Sequence, residues 1–180
     1  MVHSMHGGSY SNCFHMFTLS DNFYGQCGQG DTGGEYALPI SKVIASNGSE
    51  LADQTVVSIY TGRYHSIALT ATGQLIGWGY GGALTFSGSN NYHTPILLNT
   101  SNIDSPIKLF AVGGTFNLIV SQKSTVYFWG EVGSGSGQEI PTAVDISALD
   151  GAEITDVAAG GYHAVILVSN GLVYTWGSNK

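Results

Sequence analysis

Short apolar segments separated by glycine-rich turns recur along the chain and predict a succession of β-strands. In one stretch the pattern predicts four strands, at Val56–Ile59, His65–Thr70, Leu75–Gly79 and Thr94–Leu98. Equivalent segments follow twice more, and the run Ala164–Val168 is apolar on both alternating faces, as in a strand covered on both sides. No segment has the pattern of a helix that could cover these strands, so we expect neighbouring sheets to stack on one another.

Tight turns are predicted between the second and third strands of each unit. Ala71–Gln74 separates these strands in one unit, and Asn170–Gly171 separates them in another. An Asn-Gly pair supplies the positive φ angles that a two-residue hairpin turn needs at both positions. We therefore expect antiparallel pairing through a two-residue turn at Asn170 and Gly171.

A glycine and a tryptophan recur at a constant spacing of 16 residues, which indicates an internal repeat. The pairs are Gly62 with Trp78, Gly113 with Trp129, and Gly160 with Trp176. Because successive tryptophans are 51 and 47 residues apart, the repeat is about fifty residues long and its length varies in the loops. We expect one domain over 1–180, with repeats at 1–55 (degenerate), 56–106, 107–153 and 154–180 (incomplete).

The recurring residues are predicted to be structural. The tryptophans share one repeat position with apolar neighbours, which favours packing between sheets over a ligand platform. His65 and His163 share another position, where the remaining unit has Asn117, and both residue types can hydrogen-bond the backbone of a turn. The predicted repeat core comprises Trp78, Trp129, Trp176, His65, His163, Gly62, Gly113 and Gly160.

The segment Gly160–His163, followed by Asn170–Asn179, resembles a repeat of the regulator of chromosome condensation family. Tyr24–Asp31 resembles the loop that follows the Trp-Gly strand in that family. Three prolines lie where the family's next strand begins: Pro39, Pro95 and Pro141. The resemblance implies an all-β fold, a β-propeller. Since the family's propellers usually have seven blades, about three and a half repeats imply an open arc of about 3–4 four-stranded blades, half of such a ring.

Composition and charge exclude several classes of protein. The chain is 43% apolar and 9% charged, with 12 acidic against 5 basic residues and a net charge of −7, unlike a disordered tail or a protein that binds nucleic acid directly. No apolar run approaches the roughly 20 residues of a membrane helix, and the N-terminus lacks the apolar core of a signal peptide. We expect an intracellular protein, cytoplasmic or nuclear. Secretion, and with it glycosylation at Asn47 or Asn99, would apply only to a fragment of a longer protein.

Candidate chemical sites have simpler structural interpretations. Dinucleotide binding requires a helix after the glycines, and no helix follows Gly28–Gly33. The glycine-rich segment Val132–Gly137 lacks the lysine of a phosphate-binding loop, so we expect it to be a connector between strands. The acidic run Asp145–Asp156 is expected to be a solvated loop. An N-terminal set fits no usual zinc spacing: His3, His6, Cys13 and His15. We expect no metal, no cofactor and no enzymatic activity, because no nucleophile–base pair or facing carboxylates are visible.

These observations predict a non-enzymatic scaffold for protein–protein interaction that binds through the loops between strands. The loops that differ most between units are Gln26–Leu38, Tyr80–His93 and Glu131–Glu139. Candidate contact residues in them are Tyr36, Tyr80, Phe86, Tyr92 and Glu131. In the alternative, these rings fold back onto their own sheet.

The resemblance implies a second function, since the family's founding member is a guanine-nucleotide exchange factor for a small GTPase and also docks on chromatin. The acidic balance argues against chromatin docking, and no insertion suited to opening a nucleotide site is recognisable in the sequence. A third candidate is a secreted inhibitor or carbohydrate-binding propeller, which the low charge favours. An open arc also predicts self-association, or completion of the ring by other blades, because its terminal faces would be uncovered.

Overall fold

The computed structural model describes residues 17–18, 22–30, 41–43, 51, 54–85, 90–132 and 136–178, and it consists mainly of antiparallel sheets. A two-stranded sheet pairs β1 (Phe17–Thr18) with β2 (Ser41–Lys42). Several sequence predictions fall outside the described residues: Tyr36, Phe86 and the N-terminal set of His3, His6, Cys13 and His15.

The first four-stranded sheet is a meander of consecutive strands. It contains β3 (Val56–Thr61), β4 (His65–Thr70), β5 (Leu75–Gly79) and β6 (Tyr92–Leu97), in that order. The four strands predicted from the sequence are all present, with β6 beginning two residues earlier than expected.

A one-turn helix, α1 (Gly81–Leu84), lies between β5 and β6 and was not predicted. Two of its four residues are glycines, which have low helix propensity, so the sequence gives no local signal for it. All four residues are buried. Contacts with the neighbouring sheet, and not propensity, therefore hold this turn in place.

The second and third sheets repeat the meander. The second contains β7 (Ile107–Val112), β8 (Phe116–Ser121), β9 (Val126–Val132) and β10 (Ser136–Ala143). The third contains β11 (Ile154–Ala159), β12 (His163–Val168) and β13 (Val173–Gly177), preceded by a 3-10 turn at Ser147–Leu149. The chain is thus an open, all-β arc of propeller type, as the sequence predicted.

The hairpin between β12 and β13 differs from the prediction of a two-residue turn at Asn170 and Gly171. In the third sheet Val168 N donates to Leu172 O at 3.1 Å and Gly171 N donates to Val168 O at 2.9 Å, which leaves three residues in the loop. Gly171 has a φ of +85°, whereas Asn170 is not among the positive-φ residues. The loop is a type I turn followed by one left-handed residue. Equivalent positions are held by Gly73 and, at φ +64°, by Ser124.

The segment Glu131–Glu139, predicted as a loop, is largely a β-hairpin. Glu131 pairs with Gly137 and Val132 pairs with Ser136, because the ladder between β9 and β10 continues past Gly130. Glu131 therefore lies in a strand and not in a loop, which corrects its assignment. Tyr92, also placed in a loop by the sequence, begins β6.

The core consists of apolar clusters between successive sheets, and each tryptophan faces the preceding layer. Trp78 packs with Val43 and Leu51, which precede the first sheet, and Trp129 packs with residues of the first sheet such as Ile67. Both indoles are 1% exposed. Trp176 is partly buried against the cluster between the second and third sheets. The same repeat position thus lies at three successive junctions between layers.

Candidate interaction surface

Three tyrosines from separate turns meet at one end of the first sheet. Tyr64 lies in the turn between β3 and β4, Tyr80 follows β5, and Tyr24 lies in the turn region 22–30. Tyr80 N donates to Tyr64 O at 2.8 Å, which fixes the two turns side by side. We call Tyr24, Tyr64 and Tyr80, with Arg63 and Glu131, the tyrosine surface.

Two of the three ring pairs, those that include Tyr80, are edge-on, and the pair of Tyr24 and Tyr64 is tilted. Ring centroids are 4.7 Å apart for Tyr24 and Tyr64, 5.2 Å for Tyr24 and Tyr80, and 6.4 Å for Tyr64 and Tyr80. The interplanar angles, from 47° to 75°, are in the range that aromatic quadrupoles favour. The mutual contacts hold the rings in one arrangement, and each tyrosine remains partly exposed, so the cluster is accessible to a partner.

A hydrogen bond ties this cluster to the second sheet. The Tyr80 hydroxyl donates to Glu131 Oε2 at 2.8 Å. This bond to a carboxylate, together with partial burial, raises the pKa of Tyr80 to about 12. The phenol therefore stays protonated at neutral pH, and it holds its ring and the carboxylate in one arrangement.

A cation lies on the same surface. The guanidinium of Arg63, the single arginine of the chain, is 4.9 Å from the centroid of the Tyr64 ring. Arg63 N also donates to Gly114 O of the second sheet at 3.1 Å, so the backbone is fixed while the side chain is exposed. The tyrosine surface thus offers aromatic edges between one positive and one negative group.

The sequence identified only part of this surface. It indicated Tyr80 and Glu131 but missed Tyr24, Arg63 and Tyr64. The available signal was the variable pair after the repeat glycine, which is Arg63-Tyr64 in one unit and Gly114-Thr115 in the next. Tyr92 is partly buried, and its hydroxyl lies 3.3 Å from Thr85 Oγ1, so it faces its own sheet.

The repeat glycines occupy tight turns. Gly62 N, Gly113 N and Gly160 N each donate at 2.8 Å to the carbonyl oxygen of the residue three positions later. At Gly62 an added Cβ would lie 2.6 Å from Gly113 O of the second sheet. The absence of a side chain at Gly62 therefore allows the first two sheets to approach.

His65 does not bond the backbone of a turn, as the sequence suggested, but bridges two sheets. Its Nε2 lies 2.9 Å from Asn117 Oδ1, and Asn117 Nδ2 donates to Ala83 O at 2.7 Å. Since a carbonyl can only accept, the amide oxygen of Asn117 faces the imidazole, and Nε2 carries the proton. Burial lowers the pKa of His65 to about 4, so the ring is neutral at pH 7.

The strand registers also correct the repeat alignment. His65 pairs with Gly79, Phe116 with Gly130, and His163 with Gly177. The equivalent of the two histidines is therefore Phe116 and not Asn117, which lies one position later. The sequence comparison exchanged them because an asparagine resembles histidine in chemistry. His163, unlike His65, is exposed.

Other ligand sites are limited in the described part of the chain. A cleft of about 210 Å³ lies beside the outer strands of the first two sheets and is lined in part by Leu98, Trp129 and Ile140, smaller than usual ligand pockets. Among the described residues no three His, Cys, Asp or Glu side chains are grouped to hold a metal ion. No helix in those residues is long and apolar enough to span a bilayer.

Comparison with known proteins identifies a matching repeat profile and a similar protein. Residues 56–83 and 154–180 match the profile described as regulator of chromosome condensation (RCC1) repeat. The chain is 30% identical over 190 aligned residues to mouse E3 ubiquitin-protein ligase HERC2, covering 99% of this chain and 4% of HERC2. It therefore spans only a small part of that relative.

Solved structures show the same fold. Human WBSCR16 superposes with a TM-score of 0.71 at 22% identity, over 92% of this chain and 43% of that one. Prp20p from Saccharomyces cerevisiae, described with its binding properties to Gsp1p and histones, superposes with a TM-score of 0.64 at 20% identity, over 82% and 38%. With stacked four-stranded meanders and two matched repeats, the chain carries repeats of the regulator of chromosome condensation family.

Proposed function

We propose that the chain is a non-enzymatic scaffold that binds a protein partner through the tyrosine surface. The observation that carries this proposal is the fixed group of three partly exposed tyrosines between Arg63 and Glu131. Tyrosine and arginine dominate the energetics of protein interfaces, and preorganised rings lose little entropy on binding. The stacked sheets hold the tyrosine surface in place, so no segment has to fold when a partner binds.

Variants of the tyrosine surface test this proposal. Partners captured from the native source by the unmodified chain are quantified and compared with those captured by Arg63→Ala and Tyr64→Ala. Tyr162→Ala is the matched control, because Tyr162 is an exposed tyrosine at the Tyr64 position of the third sheet. We expect a loss of about tenfold or more for the first two variants and none for the control. Equal capture by all four proteins, at unchanged melting temperature, would exclude the tyrosine surface.

Nucleotide exchange on a small GTPase is the second candidate. The resemblance implies it, and the similar yeast Prp20p is described as binding Gsp1p. Release of a fluorescent guanine nucleotide from a panel of small GTPases, measured with and without micromolar protein, tests it directly. Acceleration would make the chain a catalyst of exchange. Unchanged release would leave the scaffold function alone.

We propose further that another sheet covers the outward face of the third sheet. Four residues define this open face: His163, Val165, Leu167 and Val173. In the first two sheets the equivalent positions are buried by the next sheet, except Leu69, which is partly buried, whereas Leu167 and Val173 are 38% and 58% exposed. The cover is a second copy or further blades. Light scattering at micromolar concentration tests it, because a monodisperse 18.9 kDa species that binds no hydrophobic dye would contradict it.

The proposed site of action is inside the cell, in the cytoplasm or nucleus. The mass of the native protein distinguishes this from secretion. Asn99, which begins an Asn-Thr-Ser acceptor pattern, is exposed and would be glycosylated on the secretory route. An unmodified Asn99 in the native protein supports the intracellular site.

A further inference from the structure

Successive sheets meet at one repeated pair of residues. The first member is the first residue of the second strand of a sheet, and it faces the next sheet. It is His65 in the first sheet, Phe116 in the second and His163 in the third. We call it the forward residue. The second member is the second residue of the same strand in the next sheet, and it faces back towards the first member. It is Asn117 in the second sheet and Ala164 in the third. We call it the backward residue.

The junction between the first and second sheets is polar. His65 and Asn117 are 1% and 0% exposed, and the Nε2–Oδ1 distance is 2.9 Å. Because Asn117 Nδ2 is held by Ala83 O, its oxygen is oriented to accept from the imidazole. The other ring nitrogen, Nδ1, is buried and has no hydrogen-bond partner among the described residues. Asn117 therefore supplies the acceptor on which burial of the histidine depends.

The junction between the second and third sheets is apolar. Phe116 and Ala164 are 2% and 1% exposed and belong to one cluster that joins these sheets. A histidine facing Ala164 would bury an unsatisfied N–H group, and an asparagine facing Phe116 would bury an unsatisfied amide. Each cross-pair costs the desolvation of a polar group. The two junctions are thus chemically matched, and their members are not interchangeable.

The open face carries the third forward residue, His163. Resting on the proposal that another sheet covers this face, we propose that the covering sheet carries a hydrogen-bond acceptor, of the carboxamide type, at its backward residue. His163 Nε2 would then be satisfied as His65 Nε2 is by Asn117. The neighbours Val165, Leu167 and Val173 supply the apolar area. The open face therefore selects among possible covering sheets by one polar contact.

The pairing rule is tested first in the native chain. His65→Phe and Asn117→Ala each increase the unfolding equilibrium constant, measured with urea, by about tenfold. The double variant has the residue types of the second junction, and we expect it to recover most of this loss. Additive effects of the two substitutions would overturn the rule.

The open face is tested with an extended chain in which a second copy of residues 131–178 follows Gly177. This copy adds the fourth strand of the third sheet and a further sheet whose backward residue is Ala164. Four versions combine His163 or His163→Phe in the first copy with Ala164 or Ala164→Asn in the second. Urea unfolding gives the coupling between the two positions.

We expect Ala164→Asn in the second copy to lower the unfolding equilibrium constant about tenfold when the first copy has His163, and to raise it with His163→Phe. A single cooperative transition, with a larger urea dependence of the unfolding free energy than in the native chain, shows that the second copy folds onto the first. If the coupling is then absent or opposite in sign, the acceptor proposal is overturned and the covering proposal stands. Independent unfolding of the second copy would overturn both.

Discussion

The ring of Phe110 lies parallel to the indole of Trp129, with 5.9 Å between their centroids and 5° between their planes. The ring of Tyr60, in β3 of the first sheet, packs edge-on against Phe110, with 4.4 Å between the ring centroids. One aromatic column therefore connects β3 of the first sheet, through Phe110 of β7, to β9 of the second sheet. It places Trp129 where both sheets depend on it.

Replacement of Trp129 by alanine is expected to destabilise the fold strongly. Removal of a buried tryptophan leaves a cavity and costs about 3–5 kcal/mol of the free energy of unfolding, a large part of a typical domain's total. Urea unfolding followed by circular dichroism measures the loss. Leu172→Ala is the control, because Leu172 is 54% exposed and its truncation is expected to have little effect. Similar losses for both variants would contradict the junction role of Trp129.

Acid is expected to weaken the first junction through His65. The imidazole has a pKa near 6.5 when unfolded and about 4 when folded, so the unfolded chain binds more protons between these values. Its contribution is fully present above pH 6.5 and is lost as the pH falls towards 4, to a total of about 3 kcal/mol. Unfolding free energies measured between pH 4 and 8 show this slope. His65→Phe should flatten it.

His163→Phe is the control for that experiment. The measurement uses dilute, monomeric protein, in which His163 is exposed, so its replacement should leave the pH slope of the unmodified protein in place. A slope that persists in His65→Phe would assign the acid sensitivity to other groups.

Ser124→Gly is expected to stabilise the protein. Ser124 has a φ of +64° in the β8–β9 hairpin, where residues with a Cβ are strained by about 1 kcal/mol. Gly73 holds the equivalent position in the first sheet, and Gly73→Ser should lower the free energy of unfolding by a similar amount. Thermal and urea midpoints of the two variants measure both changes. Shifts in the same direction would refute the shared turn geometry.

The β12–β13 hairpin should depend on glycine more than on asparagine. Gly171→Ala forces a Cβ into a φ of +85° and is expected to cost about 1 kcal/mol, although no atom lies within 4 Å of the new carbon. Asn170→Ala loses only the exposed hydrogen bond from Leu172 N to Asn170 Oδ1. Urea unfolding compares them. A larger loss of unfolding free energy for Asn170→Ala than for Gly171→Ala would support the two-residue turn that the sequence predicted.

The sequence predicted the fold well because glycine and tryptophan mark positions whose spacing is fixed within each sheet. It could not predict α1, because Gly81 and Gly82 form a helical turn only with the second sheet against them. The β12–β13 turn was mispredicted for a different reason: Asn-Gly satisfies more than one turn type, and the hydrogen bond from Val168 N to Leu172 O decides between them. Local signals thus gave the strands but not the connections.

The candidate surface was harder to predict than the fold. Tyr24 and Tyr64 are 40 positions apart in the sequence and meet only because the turn at 22–30 packs on the first sheet. The Tyr80–Glu131 bond likewise requires two sheets in register. No spacing within one repeat contains these contacts.

The bond from Asn117 to Ala83 O makes α1 a natural reporter of motion between the first two sheets. The helix belongs to the first sheet in sequence, but the second sheet buries it. Separation of the sheets would remove its cover before either meander frays. The Thr85 amide, which donates to Gly81 O, would then exchange its hydrogen with solvent in proportion to the population in which the junction is open. Breathing of the arc can therefore be followed at a single backbone amide.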